Sequence, residues 1–191
     1  MASPCNTYCA TPFPTFDPND CGDTIAGGIQ GLIAFACDSD AVTTSDFTGA
    51  TINTDIANGK AFVLEQVKAS IAAASPNANS TSYVAGQEPK TGSYTQTVTV
   101  MDANVTSANS AALRLIDSTN GTEIAALIVT TVETEKSQLL LPLKSFQYTG
   151  STVTPDTEDD AIHYEGSFVG KVKHGVTEII DTPTGVYSFL P

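Results

Sequence analysis

The stretch IHYEGSFVGKVK, at residues 162–173, alternates between apolar and polar side chains along its length. Side chains of a β-strand point alternately to the two faces of a sheet, so this alternation predicts a strand with one buried and one solvated face. The set predicted to face the core is Ile162, Tyr164, Phe168 and Val172, and the polar set is His163, Glu165, Ser167 and Lys171.

The rest of the chain carries further β patterns. The stretch YTQTVTVM, at residues 94–101, predicts a second strand, with Tyr94, Gln96, Val98 and Val100 on one face. Apolar or alternating runs predict more strands at residues 29–37, 122–133, 136–148, 176–180 and 186–190. Pro142 lacks an N–H group, so it should break the run at 136–148 or confine it to a sheet edge.

Residues 52–71 predict a β-hairpin. Ile52, Thr54 and Ile56 alternate with polar residues, and Asn58-Gly59 follows, which is the dipeptide preferred in type I′ turns. In the second arm, one strand face would carry Val63, Glu65, Val67, Ala69 and Ile71. The alanine content of residues 62–74 favours a helix there as the competing interpretation.

One helix is predicted after residue 104. Apolar side chains recur at helical spacing and form a stripe of Val105, Ala108, Ala112, Leu115 and Ile116. Asn104 or Thr106 can cap its start, and Asn120-Gly121 can end it through a left-handed residue.

These elements predict a mainly β fold: an antiparallel β-sandwich or barrel with one flanking α-helix and an extended N-terminal arm. The arm would span residues 1–26, where prolines at 4, 12, 14 and 18 oppose regular structure. Tyr8, Phe13 and Phe16 in the arm are available for docking on a neighbouring subunit. Residues 27–191 would form the domain, with a long polar loop at 75–92 and an acidic turn at 156–160.

The composition excludes several kinds of partner. The formal net charge is −13, with eight Lys and Arg residues against 21 Asp and Glu residues. Binding of nucleic acid by phosphate neutralisation and polybasic binding to lipid both need a cationic surface. Residues 1–20 lack the basic and apolar regions of a secretory signal, and the apolar runs at 125–131 and 139–143 are too short to span a bilayer. We therefore expect synthesis in the cytosol.

The sequence predicts no enzyme and no catalytic, cofactor-binding or metal-binding residue. The histidines are His163 and His174, and no spacing of nucleophile and base or phosphate loop accompanies them. Asp17, Asn19, Gly22 and Asp23 resemble the first half of a calcium loop, but Gly28 stands where the final Glu is required. Residues 38–40 and 156–160 are interpreted as solvated acidic turns.

The cysteines lie at positions 5, 9, 21 and 37, which is not the paired spacing of a zinc site. Reduced or buried thiols and disulfides that fasten the N-terminal arm both remain open as interpretations of Cys5, Cys9, Cys21 and Cys37.

The order of features from Gly27 onward resembles the major tail tube proteins of tailed bacteriophages. The segments that carry the resemblance are Gly59-Lys60-Ala61-Phe62, Lys90-Thr91-Gly92, the strand at 94–100, the short helix and the strand at 161–170. The resemblance implies two packed antiparallel sheets plus a helix. It also implies six-subunit rings in which the sheets continue between neighbours as an inner β-barrel.

The rings would stack into a hollow virion tail tube that conducts DNA during genome ejection without binding it specifically. The loop at 75–92 would reach the adjacent ring, and other tail or connector proteins of the virion would be partners. Alternative functions are a capsid decoration or head–tail joining protein, and a carbohydrate-binding or adhesin β-sandwich. The absence of Trp and the 7% aromatic content count against sugar stacking.

If the chain forms a tube, its acidity suggests an acidic wall that repels DNA. The candidate wall residues are Asp55, Glu65, Glu123, Glu133 and Glu165, for which a solvated outer face is the alternative position. A lumen lined mainly by Lys60, Lys68, Lys171 and Lys173 would contradict an acidic wall.

Overall fold

Ten strands and three helices follow one another in the residues that the structure, a computed structural model, describes: 29–65, 67–78, 91–102, 105–117, 123–131, 136–154 and 162–186. The strands are β1 (Ile29–Ala36), β2 (Ala61–Glu65), β3 (Lys68–Ile71), β4 (Ser75–Ala78), β5 (Thr91–Asp102), β6 (Ile124–Thr131), β7 (Lys136–Leu140), β8 (Gln147–Val153), β9 (His163–Val172) and β10 (Glu178–Asp181). The helices are α1 (Asp40–Thr44), α2 (Gly49–Ala57) and α3 (Ser107–Ile116).

The strands form two antiparallel sheets, as predicted for a mainly β chain. Sheet A has the strand order β10-β7-β6-β1-β2. Sheet B has the order β3-β5-β9-β8, and β4 follows β3 along the same side of β5. The chain passes from sheet A to sheet B between β2 and β3.

The main core contains side chains from both sheets. Val98 of β5 and Phe168 of β9 are register partners in sheet B and are fully buried with Leu127 of sheet A. Burial of each such side chain stabilises the fold by about 1.5–3 kcal/mol. Gln96 lies on the same inner face, and its side-chain amide donates to the carbonyl of Ala72 at 2.6 Å, which satisfies its buried N–H group.

A second core covers the other face of sheet A. Ile33 and Phe35 of β1 pack there with Ala41 of α1 and Ile52 of α2. The helices α1 and α2 therefore lie on sheet A, opposite sheet B. No described helix covers the outer face of sheet B, which makes that face the accessible sheet surface in the described part of the chain.

The predicted hairpin at 52–71 is wrong in its first arm. Residues 49–57 form α2, in which Ile52 and Asp55 are both buried. Asn58 caps the helix, and Gly59 has a φ of 70°. An Asn-Gly pair serves a helix end as well as a hairpin turn, because both need a left-handed residue. Ile52 and Asp55 are buried at i, i+3 spacing, as on one face of a helix, but the sequence hides this period because Asp55 is a charged residue.

The second arm is extended, so the competing helix at 62–74 is wrong. It does not form one strand face, however, because β2 belongs to sheet A and β3 to sheet B. Val63 packs with the second core, on the side of α1 and α2, whereas Val67 is buried in the main core between the sheets. The crossing from one sheet to the other separates residues that a single strand would have aligned.

The helix predicted after residue 104 is confirmed as α3, with Thr106 as its N-cap. The Thr106 Oγ1 atom accepts from the Asn109 N–H at 3.1 Å. The helix ends at Ile116, and Asn120-Gly121 lies outside the described residues. Of its described side chains, Leu113 and Ile116 are buried. Leu115 is 66% exposed and Val105, just before the helix, is 39% exposed, so the predicted stripe was wrong for these two residues. The expectation of a single helix missed α1 and α2.

The remaining predicted strands are confirmed where the structure describes them, at 29–37, 94–101, 122–133, 162–173 and 176–180. The run at 136–148 is broken around Pro142 into β7 and the start of β8. Ile162, predicted to face the core, is 46% exposed just before β9. The loop predicted at 75–92 is wrong at both ends, because residues 75–78 form β4 and residues 91–92 begin β5. Its middle, residues 79–90, lies outside the described residues, as do the predicted arm at 1–26, the turn at 156–160 and the end of the strand at 186–190.

Replacement of Gly59 with alanine is expected to lower the free energy of unfolding by about 1–2 kcal/mol, because a Cβ atom is disfavoured in the left-handed region. Gly59→Asn should cost less, since Asn tolerates this conformation better. Urea unfolding of both variants measures the difference, and equal stability of Gly59→Ala and the parent chain would contradict the prediction.

Candidate assembly surfaces

The outer face of sheet B carries a dense array of hydroxyl groups. Alternate residues of β5 point outward because the intervening Gln96, Val98 and Val100 are buried. One row across four neighbouring strands contains only hydroxyl side chains, on Ser70, Thr99, Ser167 and Thr149. We use the name hydroxyl face for this surface, which consists of Ser70, Ser93, Thr95, Thr97, Thr99, Thr149, Ser151 and Ser167.

Hydrogen bonds between side chains hold part of this array in place. The Ser70 and Thr99 hydroxyl oxygens lie 2.6 Å apart, and Thr95 donates to the Asn77 side-chain oxygen at 3.1 Å. Cross-strand Ser and Thr pairs of this kind stabilise a sheet by up to about 1 kcal/mol each. The face is thus polar and ordered without a high density of charge.

Few charges interrupt the hydroxyl face. Lys68 and Glu165 line a shallow groove of about 560 Å³ at one end of it, and Lys171 lies next to Thr95 across the β5–β9 pair. Glu165 also contacts the His163 ring, with Oε1 3.2 Å from Nε2. His163 is therefore partly covered and paired, rather than fully solvated as its polar strand face suggested.

The predicted acidic wall is wrong for Asp55, which is fully buried beneath α1. Glu123 is exposed near Lys144, with 3.8 Å between Oε1 and Nζ, and Glu165 lies on the outer face of sheet B. The backbone of Glu65 lies in β2, and Glu133 is outside the described residues. The structure does not bring Asp55, Glu123 and Glu165 together.

The acidic turn at 38–40 begins α1. The Ser39 Oγ atom accepts from the Val42 N–H at 3.2 Å, and Asp40 pairs with Lys60 at 3.3 Å. The Ser39 hydroxyl in this turn therefore caps the start of α1. Within the described ranges, no three His, Cys, Asp or Glu side chains cluster as a metal site would require.

Both sheets end in edge strands. In sheet B, β8 pairs with β9 alone from Gly150 onward, as far as the described residues extend. In sheet A, β10 pairs with β7 and β2 with β1. An edge strand presents backbone N–H and C=O groups that another chain can pair with.

An apolar cleft lies where β7 ends and β10 begins. Leu141, Leu143 and Val176 line it, and they are 46%, 56% and 86% exposed. Lys173, His174 and Glu178 also contribute to its walls. Exposed apolar side chains that share one cleft are typical of a contact surface.

Cys37 is a free, exposed cysteine beside Glu123. Its Sγ atom lies 3.7 Å from the Glu123 carbonyl oxygen and 3.8 Å from Oε2. Partial burial of the sulfur raises the pKa of the thiol, and the Glu123 carboxylate raises it further.

Glu123→Gln is therefore expected to speed alkylation of Cys37 at pH 8, because a lower thiol pKa leaves more reactive thiolate. Peptide-resolved mass spectrometry separates Cys37 from the other three cysteines. Asp38→Asn should have a smaller effect in the same direction, since Asp38 is the weakest of the influences on this pKa. An unchanged Cys37 rate in Glu123→Gln would contradict the prediction.

Comparison with known proteins found no matching family model, no matching curated protein and no matching solved structure. Among the described residues, no helix has the length and apolar content needed to cross a membrane.

Proposed function

We propose that this chain is the structural subunit of a bacteriophage tail tube, in which rings of copies stack around a channel for DNA. In this proposal the two sheets pack as a β-sandwich, residues 1–26 form an extended arm, and the protein resides in the virion tail. The six-fold ring and the passage of DNA during ejection come from the resemblance of the sequence to tail tube proteins.

The observation that carries the proposal is a two-sheet fold with edge strands available for pairing. Pairing of β8 in one copy with a sheet edge of the next would continue sheet B from subunit to subunit. Such a contact joins two different surfaces, so it produces a closed ring when the rotation between copies closes. Ring closure would also remove the exposed edges, which otherwise favour uncontrolled aggregation.

The hydroxyl face is the surface we propose for the channel wall, in place of a wall formed by the five acidic candidates. Its described charges are few and mixed, with Lys68 and Glu165 at one end and Lys171 towards the other. Each Lys or Arg that contacts a phosphate releases counterions and adds affinity for DNA. A wall of Ser and Thr makes few such contacts and keeps a layer of water, so the duplex could slide along it.

Electron microscopy of the purified chain over a wide concentration range tests the proposal. We expect six-fold rings at moderate concentration and hollow tubes at high concentration. A chain that light scattering shows to be monomeric over the whole concentration range would overturn the proposal. Rings that never stack would favour the head–tail joining alternative, and single copies bound to capsids would favour the decoration alternative.

A further inference from the structure

The apolar cleft between the end of β7 and the start of β10 has a volume of about 310 Å³. Val176 is the most exposed large apolar side chain of the described residues, and Leu143 is the third most exposed. Burial of such side chains removes apolar surface from water and would stabilise a contact there. The cleft thus has the character of a docking site for an apolar segment.

The cleft and the start of β1 lie at opposite ends of sheet A. Ile29, where β1 begins, pairs with Thr131 of β6. Leu140, next to the cleft, pairs with Leu127, which in turn lies opposite Ala34 near the other end of β1. With a rise of about 3.3 Å per residue, the cleft is about 20 Å from Ile29 along the strands.

We propose that residues 1–28 of one copy dock into this cleft on the next copy along the stack; this inference rests on the proposed tube. The segment offers Tyr8, Phe13 and Phe16 as apolar anchors. Its length also suffices, because 28 extended residues span up to about 90–100 Å. Its prolines limit the backbone conformations open to it, which lowers the entropy lost on docking.

Charge complementarity supports this occupant. Residues 1–28 contain Asp17, Asp20 and Asp23 and no Lys or Arg. The cleft carries Lys173 and His174, with Glu178 as its acidic residue. Attraction between the acidic segment and Lys173 would fix its orientation while the aromatic side chains supply most of the burial.

The direction of β1 favours a neighbouring copy over the same copy. The chain enters β1 at the end of sheet A remote from the cleft, so its own segment would have to reverse and cross the sheet or its helices. A copy stacked beyond that end, in the same orientation, presents its cleft directly to the entering chain. A contact of this head-to-tail kind propagates without limit, as a tube requires.

Photocrosslinking within the full chain tests the inference. Phe13 is replaced by p-benzoylphenylalanine, and protein labelled with nitrogen-15 is mixed with unlabelled protein before irradiation. We expect crosslinked peptides that contain residues 141–143 or Val176 and that join one labelled and one unlabelled copy. Crosslinks to the cleft that join only like-labelled peptides would overturn the inference, since the segment would then occupy its own copy, and so would the absence of crosslinks to the cleft.

Variants of the cleft provide the specificity control. Val176→Asp should reduce the mixed-label crosslink about tenfold, because the new charge would be buried against apolar anchors. Ile162→Asp alters a 46% exposed apolar residue at the opposite end of β9 and should leave the yield unchanged. Circular dichroism of both variants tests whether they are folded. Tubes that form without this crosslink would overturn the docking alone, whereas failure to form any ring would overturn the proposed function.

Discussion

Replacement of Asp55 with alanine is expected to lower the free energy of unfolding by about 3 kcal/mol. Asp55 is a fully buried carboxylate in α2. Its Oδ1 atom accepts from the Asp40 N–H at 2.8 Å and its Oδ2 atom from the Ala41 N–H at 2.9 Å. These amides begin α1, so one side chain of α2 satisfies two donors that the helix itself leaves without a partner.

The size of the effect follows from those two hydrogen bonds. A hydrogen bond to a charged group contributes about 1.5–3 kcal/mol, and a buried N–H left without an acceptor costs a similar amount. The carboxylate also lies at the positive end of α1, although this helix is too short for a large dipole contribution. Loss of both bonds would detach α1 from α2, and with it part of the cover over Ile33 and Phe35.

Asp55→Asn separates the hydrogen bonds from simple packing. The amide has nearly the same shape, but only its oxygen can accept, so one backbone N–H would face the side-chain NH₂ group. We therefore expect Asp55→Asn to be destabilised nearly as much as Asp55→Ala in urea unfolding at neutral pH. Asp38→Asn, at an exposed position before α1, is the matched control and should change stability little. A loss below 1 kcal/mol for Asp55→Ala would contradict this account.

The strands that sequence predicted best are those with one core-facing and one open side. In β5 and β9, apolar residues such as Val98 and Phe168 face the buried core, and their polar neighbours face outward. The alternation in the sequence therefore follows the two faces of sheet B. Sheet A lies between sheet B and the helices, so β1 and β6 are apolar on both faces. Such runs reveal burial, but they do not indicate which neighbour covers which face.

The prediction errors in residues 40–71 arise because the local sequence there fits more than one structure. Helix α1 has five residues, too few to show a period, and α2 ends in Asn58-Gly59, which is equally typical of a hairpin. The buried role of Asp55 was equally inaccessible, because its donors lie in another helix. A charged residue is exposed more often than buried, so sequence alone placed Asp55 on a surface.

The sequence predicted an acidic wall, and it indicated neither the hydroxyl face nor the apolar cleft as a surface. The Ser and Thr residues of β5 were visible as an alternating set, and their alignment with Ser70, Ser167 and Thr149 depends on strand register between distant segments. The cleft depends on the meeting of residues 141–143 with residues 173–177, which no local pattern encodes.

Two proline substitutions in β8 are expected to impair ring formation, and one of the two should leave the subunit folded. Successive N–H groups of a strand point to opposite sides, so one of Ser151 and Thr152 donates toward β9 and the other toward the open edge. Proline removes the N–H group and is tolerated in a sheet only where that group faces away from a neighbouring strand. One of Ser151→Pro and Thr152→Pro should therefore weaken the subunit itself, and the other should disturb only the edge.

The edge-directed variant should raise the concentration needed for ring assembly about 100-fold, through the loss of an intersubunit hydrogen bond and a clash of the proline ring with the partner strand. Urea unfolding identifies which variant keeps the stability of the parent chain, and sedimentation velocity then measures its assembly. Both residues are exposed, so side-chain burial does not confound the comparison. If the stable variant assembles into rings as readily as the parent chain, β8 is not the intersubunit edge. A closed ring repeats the same contact between every pair of neighbouring subunits, so each contact loses the same binding free energy. Even partial weakening of the β8 contact should therefore shift the population from rings to monomers.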